Sequence, residues 1–227
     1  MQRDKRYIAV EGPIGVGKSS LVNLLAERLD AMKVMEKVEE NPFLARFYTD
    51  RKAYAFQTQM FFLLSRYNQL THLNQMDLFH NYTVADYIFP KDRVFAYMNL
   101  SDHELELYEQ VYTILNDRIV APDLVIYLQA RTDVLRQRIK GRGRVYEKSI
   151  TPEYVDALNE AYEYFFFHYS ETPLLVIKTS EIDFVASTED LEDLIRQIFL
   201  KDRGTRYYTP LSTREKKRAP LERDNLF

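Results

Sequence analysis

The sequence predicts an α/β fold, a parallel five-stranded sheet flanked by helices on both faces. Three observations predict it. Short β-prone segments alternate with stretches of helical periodicity along most of the 227 residues, the order that builds parallel strands joined by crossover helices. Leu124-Val-Ile-Tyr-Leu128 is apolar throughout, as a central strand covered on both faces must be. A glycine-rich turn joins the first such strand to the first helix, where α/β folds place a phosphate-binding loop.

Taken in order, the first strand is Tyr7–Val10, a short apolar run. Gly12, Pro13, Ile14, Gly15, Val16, Gly17, Lys18 and Ser19 follow and fit G-x-x-x-x-G-K-[ST], the P-loop pattern. Helix Lys18–Leu29 then carries apolar residues at helical spacing. The second strand is Val34–Val38, a long helix runs near Ala53–Gln75, and the third strand is Thr83–Asp86. Helix Asp102–Asn116 precedes the fourth strand, Leu124–Leu128, and helices Arg131–Lys140 and Pro152–Tyr169 separate it from the fifth, Leu174–Ile177. A last helix covers Asp190–Leu200. Residues 1–200 thus read as one domain. Residues 201–227 hold eight Lys/Arg against four Asp/Glu, with few apolar residues, and read as a basic, loosely ordered tail in which Lys216-Lys217-Arg218 is a solvated run. The aromatic runs Phe61-Phe62 and Tyr164-Phe165-Phe166-Phe167 read as helix faces packed on the sheet.

Composition narrows the class of function. There is no cysteine, which removes disulfides and thiolate metal sites. A formal charge of −3 gives no nucleic-acid signature. No stretch reaches the apolar length of a membrane span, and Met1–Arg6 lacks the apolar core of a signal peptide. A cytoplasmic enzyme that binds neither nucleic acid nor membrane is expected.

The chemistry begins at the P-loop. Its glycines let consecutive backbone N–H groups turn inward around phosphate oxygens, and the helix N-terminus adds partial positive charge through Ser19 and Ser20. Lys18 supplies a cation for the β- and γ-phosphates, and the Ser19 hydroxyl is a ligand for Mg²⁺. A nucleoside triphosphate is therefore the expected ligand. Glu36 stands at the end of the second strand, with Glu39 and Glu40 just after it; ligands in open α/β sheets sit at the strands' carboxyl ends, so a carboxylate there can take a proton from an attacking hydroxyl. Spacing alone does not choose among the three. Arg138, Arg142 and Arg144 close the helix after the fourth strand, with Gly141 and Gly143 between them. That composition suits a short arginine-rich lid, since guanidinium groups neutralise charge spreading over a transferring phosphoryl group. Gln59 and Arg66 lie seven apart on the long helix, on one face of it, and a side-chain amide can pair with the edge of a base.

With these residues in view, the chain resembles the deoxyribonucleoside kinases, in particular the bacterial deoxyadenosine/deoxyguanosine kinases, from about Tyr7 to Phe184. The markers are Glu11-Gly-Pro-Ile-Gly-Val-Gly-Lys-Ser19, Glu36-Lys-Val38, Phe56-Gln-Thr-Gln59 with Leu64-Ser-Arg66, Arg142-Gly-Arg144-x-x-Glu147 and Ile150-Thr-Pro-Glu-Tyr154. The resemblance implies a P-loop kinase fold, ATP as phosphate donor, Mg²⁺ as cofactor and a homodimer. It implies Glu36 as the base that activates the nucleoside 5′-hydroxyl and Gln59 as the partner of the nucleobase. Arg66 and Asp92 would form a pair that helps to set base preference, leaning to a purine. Tyr48 and Glu147 would meet the sugar 3′-hydroxyl. Arg138, Arg142 and Arg144 would surround the phosphates, and the loop carrying Asp183 and Phe184 would border the donor base. Asp86 would act on Mg²⁺ through water. One departure stands out. Relatives follow the third strand with an acidic-Arg-Ser/Thr triplet, whereas this chain has Asp86-Tyr87-Ile88, so Lys91 or Arg93 on the next turn has to bring the missing positive charge.

Two other readings share part of the pattern. A thymidylate-type nucleoside monophosphate kinase has the same loop and a strand much like Pro122–Leu128, but it adds an arginine-bearing segment for the acceptor phosphate that Asp86-Tyr87-Ile88 lacks. A nucleotide-binding regulator with decayed kinase activity would explain the lost arginine but has no use for Glu36, Tyr48, Gln59 and Glu147 together.

Overall fold

The computed structural model describes residues 6–73, 80–144, 147, 149–200 and 204–210. Its strands are β1 (Arg6–Glu11), β2 (Met32–Val34), β3 (Tyr82–Ala85), β4 (Leu124–Gln129), β5 (Leu174–Lys178) and β6 (Thr205–Tyr208). The helices are α1 (Lys18–Leu29), α2 (Leu44–Thr49), α3 (Arg51–Thr71), α4 (Lys91–Asn99), α5 (Asp102–Asn116), α6 (Thr132–Arg142), α7 (Pro152–Phe167) and α8 (Thr188–Phe199). The strands form one sheet in the order β2–β3–β1–β4–β5–β6, with every neighbouring pair parallel.

The expected five strands are thus corrected to six. The sixth comes from the segment read as a tail: Thr205–Tyr208 pairs with Leu174–Ile177. Its pattern of exposed and half-buried residues gives an edge strand little apolar signal, which is why composition hid it. The basic run Lys216-Lys217-Arg218 lies outside the described residues, as do Asn74 and Gln75 at the end of the expected long helix.

Alternation along the strands explains the two-sided core. On β4, Val125 and Tyr127 face one apolar cluster while Leu124, Ile126 and Leu128 face the other. On β5, Leu174 and Val176 oppose Leu175 and Ile177 in the same way. Successive side chains of a strand point to opposite faces, so a strand apolar throughout needs helices on both sides. Leu21, Val22 and Leu25 of α1 and Leu194 and Ile198 of α8 cover one face. Leu63 and Leu70 of α3, Tyr108 and Tyr112 of α5 and Tyr162 and Phe166 of α7 cover the other. Among the aromatic runs only part is core. Phe166 stacks on Tyr127 at 4.1 Å between centroids, while Tyr164 and Phe167, one face away on the helix, are exposed at 72% and 78%.

Local signals set the element ends. α7 begins where Thr151 accepts a hydrogen bond from the Tyr154 N–H at 3.3 Å, with Pro152 in its first turn. β2 is shorter than the sequence suggests, because its ladder with β3 ends at Val34↔Ala85. The chain then leaves the sheet, and Glu36 sits two residues beyond the strand rather than within it. The strand order reverses direction of travel at β1, with β3 on one side and β4 on the other. That switch point opens a crevice at the carboxyl ends of the strands, and the P-loop leaves β1 there. No helix among the described residues is long and apolar enough to cross a membrane.

Candidate active site

The crevice over the sheet holds a cavity of about 430 Å³ that runs from the P-loop to α3, α6 and α7, a size typical of small-molecule sites. Ile14, Gly15, Val16, Gly17, Lys18, Ser19 and Ser20 line its donor end, with Arg138, Asp183 and Phe184 alongside. Glu36, Tyr48, Gln59, Arg66 and Glu147 line its far end, and Arg142 and Arg144 overhang it. Of the sequence-expected site residues, Gly12, Pro13 and Asp92 do not line the cavity and work from behind it.

The P-loop is shaped by glycines where no other residue fits. Gly12 has φ +148°, and a Cβ there would stand 2.5 Å from the Leu128 carbonyl oxygen. Gly17 has φ +109°, and a Cβ there would stand 3.0 Å from Cζ of Phe184, so the tip of the Phe184 ring abuts the loop that starts α1. A Gly12→Ala variant is expected to lose about 1–3 kcal/mol to this overlap, seen as a melting temperature lower by roughly 2–12 °C and a weaker ATP-induced shift. A melt within 1 °C of the parent would overturn the close-approach argument. Lys18 Nζ donates to the Gly12 carbonyl at 2.7 Å. Burial, and then the nearby Lys91 charge, hold its ammonium below the usual lysine range, so an incoming phosphate relieves rather than adds to its cost.

Ser19 Oγ donates to Asp86 Oδ2 at 2.7 Å. The other oxygen, Asp86 Oδ1, is buried with no hydrogen-bond partner among the described residues. A hydroxyl and an under-satisfied carboxylate are hard oxygen donors, which fits Mg²⁺.

At the far end of the cavity, next to Tyr87, lies a network of charged side chains. Tyr87 is fully buried, and its hydroxyl donates to Gln69 Oε1 at 2.7 Å. Of the two candidate cations, Lys91 fills the gap: its Nζ lies 3.0 Å from Glu36 Oε2 and 3.6 Å from Glu11 Oε1. Arg93 does not, because it pairs with Glu109 on α5. Arg66 donates to Glu36 from Nε at 2.9 Å and also pairs with Asp92. Burial alone would push the Glu36 carboxyl up, but Lys91 and then Arg66 hold it well below the usual carboxylate range. Glu36 is therefore an anion pinned between two cations.

Asp92, with no exposed surface, is the centre of a second hydrogen-bonded cluster. Its Oδ1 accepts from the Tyr108 hydroxyl at 2.8 Å, and its carboxylate also takes hydrogen bonds from Arg66 and Gln59. Gln59 Nε2 further donates to the Asp92 carbonyl at 2.8 Å. Because both partners of Nε2 are acceptors, the amide orientation is fixed. Its donor side is used, leaving Oε1 as the acceptor for a ligand.

The lid is folded on itself. Arg142 pairs with Glu147, with Nε at 3.2 Å from Oε2, so the residue expected at the sugar and one expected at the phosphates hold each other. Arg138 donates to backbone instead, to the carbonyls of Val16 at 3.1 Å and Thr179 at 3.0 Å, tying the P-loop to the loop after β5. Gly143, at φ +67°, caps α6 just before Arg144. Asp183 Oδ1 accepts from the N–H groups of Val185 and Ala186 at 3.1 and 3.0 Å, shaping the loop that presents Phe184. Tyr48 packs edge-on against Phe47 and Tyr154, at 5.3 and 6.5 Å between centroids. Phe62, expected in the core, lines the cavity under the Arg66 guanidinium, 4.9 Å from its ring centre.

Glu11 was not singled out by the sequence reading. It ends β1 fully buried, accepting from the N–H groups of Gly12 at 2.9 Å and Ile88 at 3.1 Å. A carboxylate closing an otherwise apolar central strand was the signal available.

Comparison with known proteins places this geometry in context. The model of the family described as deoxynucleoside kinase matches residues 8–201. A deoxyguanosine kinase of Bacillus subtilis is 36% identical over 197 residues, covering 85% of this chain and 95% of its own. One from Lactobacillus acidophilus is 33% identical over 205 residues, covering 84% and 88%. Among solved structures, deoxyadenosine kinase from M. mycoides with bound dATP superposes with a TM-score of 0.73 at 28% identity, over 85% of this chain and 98% of that one. The same enzyme has also been solved with the products dCMP and a flexible dCDP.

Proposed function

Since the chain belongs to the deoxynucleoside kinase family and is a kinase, we propose that it moves the γ-phosphoryl group of ATP to the 5′-hydroxyl of a deoxyribonucleoside, a purine one by preference, with Glu36 as the base. The observation that carries this is the position of Glu36, in the same cavity as the P-loop and as Gln59, between a donor end built for phosphates and an acceptor end built for a base. The relatives named for deoxyguanosine and deoxyadenosine support the purine lean.

In this reading the P-loop N–H groups and Lys18 cradle the donor phosphates, and Phe184 borders the donor base. Ser19 and Asp86 would hold Mg²⁺, which would supply neutralising charge at the phosphates. Gln59 Oε1 accepts from the base, while Tyr48 and Glu147 receive the sugar. Glu36 accepts a hydrogen bond from the 5′-hydroxyl and takes its proton as the phosphoryl group arrives. A weak base suits this step, because the transition state of phosphoryl transfer is loose and the hydroxyl becomes acidic only late. Arg142 leaves Glu147 and joins Arg144 over the transferring group, where a guanidinium stabilises the charge that develops. Arg66 and Lys91 are both engaged by carboxylates, so neither is offered to an acceptor phosphate, which disfavours a monophosphate acceptor.

A coupled assay with Mg·ATP and each of the four deoxynucleosides tests the proposal. Phosphorylation of deoxyguanosine or deoxyadenosine ahead of deoxycytidine and thymidine is expected. Turnover of none of them, while ATP still raises the melting temperature, would overturn it.

A further inference from the structure

A chain of buried charges crosses three elements beside the cavity: Glu11 at the end of β1, Lys91 at the start of α4 and Glu36 in the segment after β2. Lys91 is 2% exposed, so its charge has left water and depends on these two carboxylates. Glu11 does not move, since two backbone N–H groups and the Tyr162 hydroxyl, at 3.3 Å, hold it in place. One of those N–H groups belongs to the P-loop and the other to the turn that leads into α4. The ammonium thus has a fixed anchor behind it and Glu36 in front, with the Tyr87 ring 5.5 Å to one side. Position 87, from which relatives would send an arginine, is closed by the Tyr87–Gln69 hydrogen bond.

We propose that Lys91 is a positioning residue of the phosphotransfer site, holding the Glu36 carboxylate aimed at the acceptor hydroxyl from the Glu11 anchor, in place of the arginine absent at position 87. The inference rests on the reading of Glu36 as the base. Arg66 cannot do this alone, because it divides its guanidinium between Glu36 and Asp92. Lys91 holds the opposite oxygen, Oε2 against Oε1. Two cations on two oxygens fix the plane of the carboxylate as one cation would not.

The test is a kinetic cycle on the full chain, with Lys91→Met, Glu36→Gln and the double variant assayed for kcat and for KM of ATP and of the best deoxynucleoside. Misplacing a reacting group by about 1 Å costs roughly 10²-fold, so K91M is expected to lower kcat by about that factor with KM for ATP little changed. Because Lys91 acts through Glu36, E36Q/K91M is expected to match E36Q within about threefold, the non-additivity of residues that work as a unit. An Arg93→Gln control, outside the network, should keep parental kcat. A folded K91M with parental kcat, or a double variant slower than E36Q by tenfold or more, would overturn the inference. The second comparison stands even if K91M alone does not fold, since E36Q/K91M removes the Glu36–Lys91 pair whole and Glu11 keeps its hydrogen bonds from Gly12, Ile88 and Tyr162. Loss of all deoxynucleoside turnover in the parent would count against the proposed function instead, and so is told apart from failure of the Lys91 inference.

Discussion

Glu36→Gln is expected to lower kcat by about 10²- to 10⁴-fold, the usual contribution of a positioned proton acceptor, while KM for ATP stays near the parental value. The glutamine keeps an oxygen toward Arg66 and the volume of the side chain, so the cavity is preserved and what disappears is the basic oxygen facing the 5′-hydroxyl. The pH dependence gives a second handle. Lys91 and Arg66, outweighing burial, hold the Glu36 carboxyl below the usual range, so as pH falls through the ordinary carboxylate range it remains ionised. A group lowered on folding contributes stability above its unfolded pKa and loses it only as pH falls through the folded one. Any acid limb near pH 4–5 should therefore survive unchanged in form in E36Q, since Glu36 is not its source. A coupled assay from pH 4.5 to 8.5 with a thermal melt of each protein measures both. A drop in kcat smaller than tenfold in a folded E36Q would remove Glu36 from the role of base.

Asp92→Ala is expected to be the most destabilising single change at the acceptor end, by about 3–5 kcal/mol, the cost of stripping one partner from a buried ion pair. The Arg66 guanidinium would keep Glu36 but lose its second carboxylate, and the Tyr108 hydroxyl and Gln59 Nε2 would lose the side-chain oxygen they share, with Nε2 still donating to the residue-92 carbonyl. Converted at about 2–4 °C per kcal/mol for a protein of this size, the melting temperature should fall by roughly 6–20 °C. Asp92→Asn, which keeps an acceptor oxygen and removes the charge, should fall less far. D92A leaves Gln59 Nε2 with the residue-92 carbonyl as its remaining acceptor, a looser hold on the amide, so KM for the nucleoside should rise more than KM for ATP. A loss under 2 °C for D92A would show that the network is not closed around this carboxylate.

The donor half of the site was legible in the sequence because its chemistry is local. Gly12 to Ser19 carry their function in consecutive backbone groups, and the helix Lys18–Leu29 was read to its ends. Strands β1, β4 and β5 were legible because burial on both faces makes their central residues apolar. The acceptor half is assembled from α3, α4, the segment after β2 and the end of β1, and no spacing rule connects residue 11 to residue 91 or residue 59 to residue 92. The sequence could show that position 87 lacked an arginine and that a cation stood one turn on. It could not show that the cation needed Glu11 behind it, since a glutamate at a strand end looks the same whether it faces water or a buried ammonium. Phe62 both packs against the core and lines the cavity, a double placement that periodicity does not reveal, because a ring at helical spacing packs on a sheet or on a ligand space with the same period. The short helices α2 and α4, too brief to build a period, left little trace beyond Pro90 at the entrance of α4.

The sixth strand bears on how the protein is made. β5 is finished at Lys178, but its outer edge waits for Thr205–Tyr208, and until those residues leave the ribosome its N–H and C=O groups offer a template to any extended neighbour. At about 5–20 residues per second the exposure lasts a few seconds in each round of synthesis. During that interval the P-loop and α1 are already made, while Asp183 and Phe184 are still emerging and the outer edge of β5 is uncovered. The sixth strand thus exchanges the apolar edge of β5 for its own four-residue, partly exposed edge, a short edge being one way of blunting that hazard.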